Sequence, residues 1–69
     1  MVKVFKTDID TPKKARIIID QLLQLHPTGR ITVDLEDCDK VLRVETKQAT
    51  NSDIIKAVHK KGFECEVLP

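Results

Sequence analysis

The sequence predicts an α+β fold in the order strand, helix, strand, strand, helix, strand, and three observations predict it. Two segments carry apolar residues at helical three-and-four spacing, and four short segments carry them at every second position. Cap and turn residues punctuate the chain between these segments, leaving no linker, repeat or low-complexity stretch.

The first strand is VKVFKTDI. Phe5, Thr7 and Ile9 share one phase, while Val2 and Val4 occupy the other, the pattern of a strand with neighbours on both sides. Thr11 then offers an N-cap hydroxyl, and Pro12 stands at the first helical position, where its missing N–H costs nothing. Ala15, Ile18, Ile19, Leu22 and Leu25 form the expected buried stripe of the first helix, widened by Ile17 and Leu23, with Lys13, Arg16, Asp20 and Gln24 left to water. His26, Pro27, Thr28 and Gly29 end it.

ITVDLE alternates Ile31, Val33 and Leu35 with Thr32, Asp34 and Glu36, a half-buried strand. Asp37, Cys38 and Asp39 form the expected turn, and KVLRVET returns as hairpin partner with Leu42 and Val44 inward. Thr50 and Asp53 make a capping box with Asp in place of the usual Glu. The second helix buries Ile54, Ile55, Ala57 and Val58, carries Lys60 and Lys61 in its last turn, and stops at Gly62, placed for a left-handed C′ conformation. Phe63, Cys65 and Val67 alternate with Glu64 and Glu66 in the last strand.

These elements fit a four-stranded antiparallel sheet of order 4-1-3-2 with both helices on one face, the ferredoxin-like βαββαβ sandwich. Right-handed crossovers place the loop after the first strand (residues 8–14), the turn at Cys38 and the loop at Gly62 at one end of the sheet, the expected functional edge. The topology serves many functions and decides none.

With 69 residues, the chain is expected to be a single domain over 1–69, near the lower limit for folding without disulfides or metals. Twelve basic and eleven acidic side chains, interspersed, give a net charge of +1 and no general attraction for nucleic acid or anionic membrane. No apolar run is long enough to span a bilayer, the N-terminus lacks a signal-peptide pattern, and two cysteines are too few for a disulfide framework. A cytoplasmic location with free thiols is the expectation.

The second half resembles heavy-metal-associated (HMA) domains, the copper-chaperone-like family, above all the short single-domain bacterial kind. The likeness runs through the VDL strand, DKVLRVE, the DIIKAV helix and the KGF turn, and FKTDI supplies the first strand. Metal-carrying members hold a soft ion with Cys-x-x-Cys in the loop after the first strand; those positions fall here on Thr11 and Lys14. A hydroxyl is a poor ligand for a soft cation and an ammonium repels one, so the resemblance implies a member that has lost the metal motif, with no cofactor.

Cys38 and Cys65 offer an alternative copper or zinc site, alone or across a dimer. The predicted topology opposes a shared one: with strands about 4.8 Å apart, thiols on opposite edges lie roughly 10 Å or more from each other. Cys65 in an inward phase needs no role beyond a small buried hydrophobe. His26 ends the first helix at the far end of the sheet and His59 faces solvent, so neither has converging donors.

Lys13 and Lys14, with Lys60 and Lys61, are the candidate partner contacts, brought to one edge by the topology. As surface charges they also fit an ordinary solvated face. No Ser, His and acid set or Cys and His pair has a meeting point, TDIDTPKK has no counterpart of the acylphosphatase phosphate loop, and two Phe residues without Tyr or Trp do not make an RNA-stacking sheet. The expected function is therefore a non-enzymatic, HMA-like protein-interaction module, a monomer or weak homodimer. Pairing of the exposed ITVDLE edge is one route to the dimer.

Overall fold

A computed structural model describes residues 2–47 and 49–68. The chain forms β1 (Val2–Thr7), α1 (Pro12–Leu25), β2 (Arg30–Asp34), β3 (Val41–Glu45), α2 (Asn51–Lys60) and β4 (Cys65–Val67). The strands make one antiparallel sheet of order β2-β3-β1-β4, which counted from the β4 edge reads 4-1-3-2. β1 is an inner strand, as expected, with β3 on one side and β4 on the other, although Val2 of its second apolar phase is exposed.

The register sets the two faces. Phe5 lies opposite Leu42 on one side and Val67 on the other, Thr7 opposite Cys65, and Leu42 and Val44 opposite Val33 and Ile31. These side chains face the helices: α1 covers the β2 side and α2 the β4 side. Phe5, Ile9, Ile18, Leu42, Val44, Ile54 and Val58 are fully buried, and with Leu22 they make a single hydrophobic cluster. At about 25 cal/mol per Å² of apolar surface, this burial is the main force opposing chain entropy.

Both helix starts follow from local chemistry. The Thr11 hydroxyl accepts the Lys14 N–H, with Pro12 at N1. Thr50 and Asp53 form the reciprocal capping box, each side chain accepting the other's backbone N–H. Gly62 follows α2 with φ of 90°, the left-handed position that any side chain resists.

Several boundaries and burials differ from the expectation. β1 stops at Thr7 and not at Ile9, because the Thr7 hydroxyl captures the Ile9 N–H and turns the chain. β2 stops at Asp34, whose carboxylate accepts the Glu36 N–H, so the turn spans residues 35–40 instead of 37–39. In α1, Leu25 and Ile17 are 53% and 41% exposed. Leu25 borders the groove toward α2, and Ile17 is rotated about 100° from fully buried Ile18. Phe63 is half-buried just before β4, which begins at Cys65.

Candidate functional site at the loop end of the sheet

Three loops meet at one end of the sheet, and hydrogen bonds between them define the end. The Thr7 N–H donates to the Asp39 carbonyl at 3.0 Å, and the buried Thr7 hydroxyl donates to the Lys40 carbonyl. On the other side the Asp8 carboxylate accepts the Glu64 N–H at 2.9 Å. The β1–α1 loop is thereby tied to the β2–β3 turn and to the segment before β4. Lys6, Thr7, Asp8, Glu64, Cys65 and Glu66 enclose a shallow hollow of about 290 Å³ between them.

The β1–α1 loop is closed upon itself. The Thr11 hydroxyl is engaged as the N-cap acceptor, and the Lys14 ammonium lies 2.8 Å from the Asp10 carboxylate. The ion pair holds Asp10 below the usual carboxylate range and Lys14 above its ordinary value. Ile9, fully buried, anchors the loop to the core. The Lys14 charge therefore has a local partner, and the electrostatic cost of a cation at a helix N-terminus is offset by Asp10 one turn earlier.

The four candidate lysines separate into two kinds. Lys13, Lys60 and Lys61 are exposed and make no ion pair among the described residues, whereas Lys14 is half-buried and paired. Lys61 is the C-cap of α2, and Lys60 borders a groove of about 340 Å³ between the helices with Gln21, Leu25, His26 and Asp53. His26 is the C-cap of α1 and His59 is exposed on α2; neither joins a cluster of metal-ligating groups among the described residues.

Cys38 and Cys65 are both free, and they differ in exposure. Cys65 is buried opposite Thr7, and desolvation, reinforced by Glu66, pushes its thiol up to about 11. Cys38 is exposed in the turn, where one donor atom each from Asp37, Cys38 and Asp39 lie within 4.8 Å of one another. Asp39 is also 3.9 Å from the Lys6 ammonium, and the Asp37 carboxylate accepts the Asp39 N–H.

Sequence reasoning missed Thr7, Asp8 and the Asp10 partner of Lys14. Asp10 precedes Lys14 by four residues, a spacing that could have signalled the pair. Thr7 bonds to Lys40, 33 residues away, and Asp8 to Glu64, 56 residues away; no local pattern reports such contacts.

No protein-family model matches the chain, and no curated protein matches it. Among solved structures, the crystal structure of a protein described as a gold binding protein superposes with a TM-score of 0.84 at 21% sequence identity, over 96% of this chain and 98% of that one. Likeness at that identity establishes a shared small α+β fold. No helix among the described residues is long and apolar enough to cross a membrane.

Proposed function

We propose that this chain is a non-enzymatic member of the HMA-like, ferredoxin-like class whose carrier loop no longer holds metal, and that it works by docking a partner protein at the loop end. One observation carries the reading. At the two places where the resemblance expects thiolates, the Thr11 hydroxyl is committed to a helix cap and the Lys14 ammonium to Asp10. These residues do not fit a soft cation, and no step through a metal follows from them. Lys13, Lys60 and Lys61 stand exposed and without an ion pair among the described residues, on the ends of α1 and α2 that the topology brings toward the loop end, and they are the contacts this reading assigns to an acidic partner.

The test replaces Lys13, Lys60 and Lys61 by Glu together and compares partner capture with the unaltered chain at low and high salt. Loss of capture in the variant, together with salt-sensitive capture by the parent, is the expected result. Equal capture by both chains would remove the lysines from the function.

A second reading, soft-metal binding, draws on the name of the structural neighbour and on the converging donors at Cys38. Cys65 is unsuited to it, because burial opposes its thiolate form. Cuprous ion titrated against a competing chelator distinguishes the readings. A ligand of the native state raises the melting temperature by mass action. An unchanged melting temperature and unchanged Cys38 labelling favour docking; stabilisation abolished by Cys38→Ser favours metal.

A further inference from the structure

The edge strand β2 is complementary to itself. It reads Arg30, Ile31, Thr32, Val33, Asp34, and it has β3 on one side only. A two-fold axis through Thr32 sets two copies antiparallel, with Arg30 of each opposite Asp34 of the other, Ile31 opposite Val33, and Thr32 opposite Thr32. Arg30, Thr32 and Asp34 are exposed on the open face, while Ile31 and Val33 point toward the helices, so every matched pair lies on one face. A slip of one residue would set apolar against charged positions, and a slip of two would carry the pairing beyond the strand.

The flank above this strand points the same way. α1 lies over β2 and leaves Ile19 and Leu23 half-buried on the side away from Gln21 and Leu25, which border the groove to α2. Val33 and Leu35 are half-buried along the same edge. The opposite edge lacks these properties: β4 is three residues long, and pairing it with itself would set Glu66 against Glu66.

We propose that two copies of this chain join through β2, doubling the four-stranded sheet into one continuous antiparallel sheet and covering Ile19, Leu23, Val33 and Leu35. This goes beyond the docking reading and stands without it. Because the paired strands are antiparallel, the loop ends of the two copies face opposite directions, so the dimer is bivalent for whatever binds there.

The register is tested by Thr32→Cys in a Cys38→Ser background. Directly opposed residues have Cα atoms about 4.5–5.5 Å apart, within the span of a disulfide, so oxidised glutathione should yield a covalent dimer. Arg43→Cys in the same background, exposed on β3, should not cross-link. By sedimentation equilibrium the unaltered chain should dimerise with concentration. Arg30→Asp or Asp34→Arg alone should raise the dissociation constant about tenfold, and the two together should return it to within about threefold. Asp34→Arg also removes the acceptor of the Glu36 N–H, whereas Arg30→Asp and the cysteine variant leave that turn intact. A chain that sediments as a monomer at millimolar concentration, equal cross-linking of the two cysteine variants, or a double reversal as weak as either single one would overturn the proposal.

Discussion

Among the described residues Thr7 is the buried polar side chain, and its hydroxyl serves both ends of the loop region, donating to the Lys40 carbonyl and accepting from the Ile9 N–H. Replacing it with valine keeps the shape and leaves both backbone groups without a partner, at a cost of about 1–3 kcal/mol. Urea denaturation should read that loss for Thr7→Val and recover most of it for Thr7→Ser; a larger loss for Thr7→Ser than for Thr7→Val would mean that the methyl group, not the hydroxyl, matters. The thiols make a second residue-level prediction. A thiol reagent at neutral pH should label Cys38 rapidly and Cys65 only on unfolding. Since the Cys65 value is raised to about 11 from 9.0, the unfolded chain releases its proton first as pH rises. The associated stability is intact below pH 9 and is lost toward 11. Cys65→Ala should flatten that alkaline decline in melting temperature.

At the scale of elements, α2 rests on its capping box. The Thr50 backbone N–H bonded to the Asp53 carboxylate is the leading cause that holds Asp53 below its ordinary 3.8. A depressed carboxylate contributes stability that is present above the unfolded value and lost as pH falls through the native one. Asp53→Ala should lower the melting temperature at neutral pH and weaken its acid dependence, and an unchanged acid slope would place that dependence elsewhere. The helix starts were legible because caps are local: Thr11 with Pro12, and Thr50 with Asp53, act within one turn. The ends of β1 and β2 were harder to read. Thr7 and Asp34 halt their strands with side-chain bonds two residues on, in competition with a ladder that alternation alone would extend. Leu25 matched the stripe in spacing and is 53% exposed, since periodicity does not say where the sheet beneath a helix ends.

For the whole molecule, the apolar pattern and short loops allow few topologies, so the layered α+β architecture was readable from Phe5, Leu42, Ile18 and Ile54 alone. The functional end was read less completely. Four lysines looked equivalent until Asp10 was seen to occupy one of them, and the Asp37, Cys38 and Asp39 donors converge only when residues 35–40 turn as they do. One feature of the architecture bears on how it is reached. The central strand β1 bonds to β3 about forty residues later and to β4 some sixty residues later, whereas only β2 and β3 are joined locally. Closing long loops costs entropy before any contact repays it, so high contact order slows the search. The hairpin of β2 and β3 with its overlying helix is therefore expected to form first and the opening segment, first in the chain, to find its neighbours last, which folding kinetics of substitutions in β1 and in the hairpin would check.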